Sequence, residues 1–236
     1  MTQGPKHALT VSNAASRRVS LGGLCRWLPA FLLAVSASAC SVYSGSATTL
    51  QTKQLHQEAG WLYIEGVPEL HQAHELDCGP TALAMVLGYY GTQHSKQVLE
   101  ALPEQERISV TKLRDLAKAH GFKAYVVEGK PEDLVYELQQ QRPMIVGVAK
   151  PTVSGAVAHY EVVVGVNREL QRVATLDPAV GLRQNTFAGF ISEWQAAGRV
   201  LLIMIPEHPK QPGMSAIQTP AEPLSLRSLA SWRLGG

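Results

Sequence analysis

Asp77-Cys78-Gly79-Pro80-Thr81-Ala82-Leu83-Ala84-Met85-Val86-Leu87-Gly88-Tyr89-Tyr90 is the stretch on which the reading of this chain turns. Leu83, Met85, Val86, Leu87 and Tyr90 give an apolar run with helical character, and Gly91 suits its C-terminal stop. Cys78 therefore opens a helix. A thiol there feels the positive end of the helix dipole and unpaired backbone N–H groups, and both favour the thiolate. The bland alternative is a buried, inert cysteine.

Working outward, His159 begins the strand-like run His-Tyr-Glu-Val-Val-Val-Gly-Val, which predicts a position at a strand edge. Asp177-Pro178 closes the pattern Ala174-Thr175-Leu176-Asp177, so Asp177 ends a strand, and a neighbouring strand can bring it beside His159. Gln72 lies six residues before Cys78. A thiolate needs a base, the base an orienter, and the tetrahedral oxyanion needs donors. His159, Asp177, and the Gln72 amide with the Cys78 N–H fill those roles in turn. Each has a plainer reading: His159 in a core, Asp177 as a turn opener, Gln72 as an ordinary polar residue. His71, His74 and Cys78 could be read as part of a zinc site, but no fourth ligand clusters with them. Asp77 reads as a helix cap. Pro151 to Ala158 is a small-residue loop that either lines a cleft or is a plain hairpin loop.

These segments together resemble the double-glycine leader peptidases, the papain-like cysteine peptidases best known as the N-terminal domain of bacteriocin exporters. The resemblance rests on Gln72, Asp77-Cys78-Gly79-Pro80, His159 with its Val-rich strand, and Asp177-Pro178 with Gly181, and spans Val67 to Ile205. It implies a papain-like α+β fold, a Cys78/His159/Asp177 triad and Gln72 in the oxyanion hole. It also implies cleavage of a peptide or protein substrate after two small residues, usually Gly-Gly, without a cofactor or metal. Two other chemistries share these residues: a non-catalytic peptide-binding module of an envelope or export complex, and an amidase or transpeptidase. No Walker motif is present, which departs from the transporter-fused architecture.

The first forty residues read as an export signal. Lys6, Arg17, Arg18 and Arg26 precede an apolar stretch from Trp27 to Val35, with no acidic residue before Glu58. The stretch is about half of the ~20 residues a membrane span needs. Ala37-Ser38-Ala39-Cys40 then resembles a lipoprotein lipobox, although Ala37 stands where Leu is usual. The expectation is a signal peptide over 1–39, a lipid on Cys40, and a membrane-anchored protein facing the periplasm; the alternative is a secreted soluble one. Cys25 leaves with the leader and Cys40 carries lipid, so Cys78 is the one free thiol in an oxidising compartment.

Residues 40–60 carry the lipidated cysteine and, being rich in Ser, Thr, Gln and Gly, read as a flexible tether. The peptidase domain is expected over 61–206, and 207–236, with four prolines, as a loosely ordered tail. Its final Gly235-Gly236 could mimic a product, though Ala230 and Arg233 stand where apolar anchors are expected. The helical first half (78–90, 94–102, 109–120, 131–141) and strand-rich second half (144–149, 159–166, 172–176, 200–205, with a helix over 186–197) make an α+β pattern. A net charge of +2 with no basic, aromatic-laced stripe excludes nucleic acid as the expected partner.

Overall fold

The structure, a computed structural model, describes residues 42–91 and 107–207. The elements run β1 (Thr48–Thr49), α1 (Thr52–Gln57), β2 (Trp61–Tyr63), α2 (Cys78–Tyr89), α3 (Val110–Ala119), β3 (Phe122–Glu128) and α4 (Pro131–Gln139). Then come β4 (Met144–Thr152), β5 (Gly155–Asn167), β6 (Arg172–Asp177), β7 (Gly181–Thr186), α5 (Phe187–Ala196) and β8 (Val200–Pro206). Eight strands form one sheet in the order β1-β7-β6-β5-β4-β8-β3, with β2 on β5, and the pairings are antiparallel. This is the expected α+β class, with the cysteine in the helical half and the histidine and aspartate in the sheet.

Alternation along the strands separates two cores. Ile145, Val162, Val164, Ala174, Leu176 and Leu202 pack with Leu83, Val86, Leu87 and Leu113 of α2 and α3. Their neighbours Met144, Val146, Val148, Val163, Val173 and Leu201 pack with Leu134 and Leu138 of α4 and Phe190 and Trp194 of α5. The sheet is thus covered by helices on both faces. Ser109 starts α3 by accepting from the Lys112 N–H, and Thr186 starts α5 by accepting from the Gly189 N–H at 3.1 Å.

Three expectations are corrected. Residues 42–60 are not a free tether. Tyr43 bridges Thr152, Thr48 and Thr49 pair with β7, and Leu50 and Leu55 are buried. The polar composition hid these short elements because their partners lie more than 100 residues away. His159 is not at a strand edge. The small residues 155–158 continue the β4–β5 hairpin to Thr152↔Gly155, so His159 sits within β5 opposite Val148. Asp77 occupies the N-cap position of α2, but its carboxylate accepts from the His74 N–H at 3.0 Å instead of capping the helix. The expected helix over 94–102, the leader with Cys40 and the tail beyond 207 lie outside the described residues.

Candidate active site

A stagger in the sheet creates the site. β6 pairs with β5 only from Val162↔Leu176 onward, so β5 beyond that point has no β6 neighbour. The loop leading into α2 takes the vacated place: Gln72 N–H donates to the Pro178 carbonyl at 2.9 Å, tying the loop to the turn after Asp177. That brings the start of α2 to β5. Gly79 permits the approach, since a Cβ there would sit 3.2 Å from both Leu113 and Tyr160.

Cys78 begins α2 and is 1 % exposed. Burial alone would raise its pKa. A hydrogen bond and the charge of His159, the Tyr160 backbone N–H and the Arg107 guanidinium outweigh burial, and the thiol titrates below its ordinary value. His159 Nε2 lies 2.7 Å from Asp177 Oδ1, which leaves Nδ1 as the ring nitrogen for the thiol. Burial disfavours the imidazolium, but the bonds to Asp177 and Cys78 prevail and raise its pKa to about 10. Asp177, although buried, is held down to about 2 by His159, with the Ala179 N–H donating to Oδ1 at 2.8 Å. Asp177 is therefore ionised and His159 protonated at neutral pH, and the His159 charge favours the Cys78 thiolate.

The structure brings together Cys78, His159 and Asp177, and it holds Gln72 beside the Asp177–Pro178 turn through the main chain. The Gln72 Oε1 is buried without a hydrogen-bond partner. An unpaired buried polar atom of this kind costs about 1–3 kcal/mol. His71 and His74 are exposed, and His71 Nε2 faces Glu69 at 3.5 Å. Among the described residues the closest approach to a metal-ligand set is His159, Glu161 and Asp177, within 4.8 Å of one another. Asp177 is committed to His159 and Glu161 pairs with Lys150, so the set serves the imidazole instead.

Several contributors carried no sequence signal. Arg107 donates to the Ala158 carbonyl, one residue before His159, and its charge favours the thiolate. Glu161 alternates with His159 along β5; it is fully buried, and burial raises its pKa. Lys150 bridges Glu161 and Glu193 of α5. Arg183 stands with Nη1 3.9 Å from Asp177 Oδ2. The β5 alternation could have marked Glu161 as inward-facing, but nothing local pairs it with Lys150.

Residues 67–208 match the model of the Peptidase C39 family. This chain belongs to that family. Membership accounts for the papain-like arrangement of a cysteine helix against an antiparallel sheet, and it makes the chain a peptidase by class. The chain is 30% identical over 144 residues to the transport/processing ATP-binding protein ComA of Streptococcus pneumoniae, covering 60% of this chain and 19% of that protein. Against the lactococcin-A transport/processing ATP-binding protein LcnC of Lactococcus lactis the identity is 28% over 148 residues, covering 62% and 20%. The chain thus spans about a fifth of the length of these curated relatives. The crystal structure of the peptidase domain of Streptococcus ComA is similar at a TM-score of 0.49 and 25% identity, covering 60% of this chain and 99% of that domain. No helix among the described residues is long and apolar enough to cross a membrane.

Proposed function

We propose that this chain is an exported, lipid-anchored cysteine endopeptidase that cleaves peptides after small residues such as Gly-Gly. The observation that carries the reading is the His159 ring, bonded to Asp177 at 2.7 Å and lowering the pKa of the buried Cys78 thiol at the start of a helix. The Cys78 thiolate attacks the scissile carbonyl. The oxyanion forms beside the Cys78 N–H and the Gln72 amide. His159 gives its proton to the departing amine, an acyl-enzyme remains, and His159 then takes a proton from the water that releases it. Asp177 keeps the imidazole oriented and charged. Support for peptide processing comes from the family and from the processing role in the relatives' names.

The anchor reading rests on the basic, apolar leader and Ala37-Ser38-Ala39-Cys40. Tyr43 is already held in the domain, so a lipid on Cys40 would keep the catalytic sheet within roughly 10 Å of the bilayer. Val42 and Val153, 64% and 81% exposed, lie at that end. In cells, an alkyne fatty-acid label is expected on the wild-type chain and absent from Cys40→Ala; equal labelling would refute the anchor. The activity is tested with a peptide containing Gly-Gly. Wild type is expected to cut it and Cys78→Ala to leave it intact while folding normally; retained cleavage would overturn the proposal.

A further inference from the structure

Tyr43 lies outside the family-matched residues 67–208, yet it reaches the charged groups around the catalytic pair. We propose that the segment 42–50 is a positioning strap for the active site, and that Tyr43 acts by restraining Arg183 so that Asp177 serves His159. This rests on the Cys78–His159–Asp177 reading above.

Asp177 faces charge from several elements: His159 and Glu161 from β5, Lys150 from β4 and Arg183 from β7. His159 faces Cys78 of α2, with Arg107 close by, besides Asp177 and Glu161. Glu193 of α5 completes the cluster through Lys150. The cations are therefore competitors as well as compensators. A guanidinium that moved onto Asp177 would form a bidentate pair and weaken the carboxylate's hold on Nε2. Arg183 is kept at the long limit of an ion pair with Asp177, at 3.9 Å and beyond hydrogen-bond distance.

The strap is what holds it there. The Tyr43 ring lies under the Arg183 guanidinium at 4.7 Å and under Lys150 Nζ at 5.3 Å, both within cation–π range. Arg183 Nη2 donates to the Ala47 carbonyl at 2.5 Å. The Tyr43 hydroxyl donates to Glu193 Oε1 at 2.7 Å and accepts from the Ala47 N–H at 2.8 Å, which fixes the ring. Ser46 donates to Asn185, whose amide donates to Glu193 at 3.2 Å. Gly45 makes the fit possible, because a Cβ there would meet the Tyr43 hydroxyl at 2.3 Å and Glu193 at 2.7 Å. The sheet contacts of the strap lie at Thr152 and β7.

The test follows the pH dependence of iodoacetamide alkylation at Cys78 in the full chain, read on the Cys78 peptide by mass spectrometry. Tyr43→Leu is expected to move the half-point upward by about one pH unit, a tenfold fall in thiolate on the acid limb. Tyr43→Phe keeps the ring but loses the hydroxyl bonds to Glu193 and Ala47, and is expected to move the half-point less than Tyr43→Leu does. Leu134→Ala, a core truncation on α4 outside the strap, should lower the melting temperature and leave the half-point in place. In an Arg183→Gln background Tyr43→Leu should add little, because its effect passes through that guanidinium. An unshifted half-point in Tyr43→Leu, or a shift of equal size in Leu134→Ala, would overturn the strap's role. So would full additivity with Arg183→Gln. A wild-type Cys78 that alkylates like an ordinary thiol would instead defeat the catalytic reading itself.

Discussion

The loop and helix that carry Cys78 and the strap that carries Tyr43 both meet the sheet beside Asp177, but they are encoded differently. The first is a continuous segment in which a helix start, a glycine and an apolar run follow one another. The second is a string of short elements whose bonds reach 139 and 150 residues along the chain, from Ser46 to Asn185 and from Tyr43 to Glu193. Local encoding produces the proposed nucleophile; long-range encoding produces the charge environment around its partner. The difference separates what a site does from what keeps it in register.

The comparison breaks most severely at the proposed base, His159. His159→Ala is expected to lower the rate of peptide cleavage by about 10²–10⁴-fold, the usual share of a positioned acid–base group. Steady-state kinetics checks this, with the fold monitored by circular dichroism. Next in size are the two cores. Trp194→Ala empties a fully buried site and is expected to cost about 3–5 kcal/mol, and Leu50→Ala in the strap about 2–5 kcal/mol, both read by urea denaturation. If Leu50→Ala costs nothing, the strap is not part of the folded unit. Gly79→Ala forces a Cβ to 3.2 Å from Leu113 and Tyr160, and is expected to cost about 1–3 kcal/mol while slowing Cys78 alkylation.

A further effect is electrostatic and has a defined sign. Asp177 is lowered from 3.8 to about 2, so its contribution to stability is complete above pH 3.8 and disappears as the pH falls through 2. His159 is raised from 6.5 to about 10, so its contribution is complete below pH 6.5 and is lost as the pH rises through 10. The melting temperature of wild type relative to Asp177→Asn should therefore be most favourable between these limits and converge outside them.

The expected helix boundaries around α2, α3 and α5 agree with the structure to within a residue or two. So does the end of β6 at Asp177, because helical periodicity, capping residues and Asp-Pro are local signals. His159 was legible as a strand residue, yet its place within the hairpin was not. Gly155, Ala156 and Ala158 have weak strand propensity, and only pairing with β4 extends them. Lys150, Glu161 and Glu193 carry no local sequence signal of their pairing. They are buried because each supplies another's counter-charge across β4, β5 and α5. The segment 42–60 was misread for the same reason: its order comes from β7, Thr152 and Glu193, none of which is near in sequence.

The central claim is that His159, held by Asp177, keeps Cys78 ionised at the start of α2. It is tested most directly by the rate of Cys78 alkylation as a function of pH, in wild type and in His159→Ala. The expected result is a wild-type half-point well below the ordinary thiol value of 9.0 that moves up towards it when His159 is removed. A wild-type half-point at or above 9.0, or one that His159→Ala leaves in place, would contradict it.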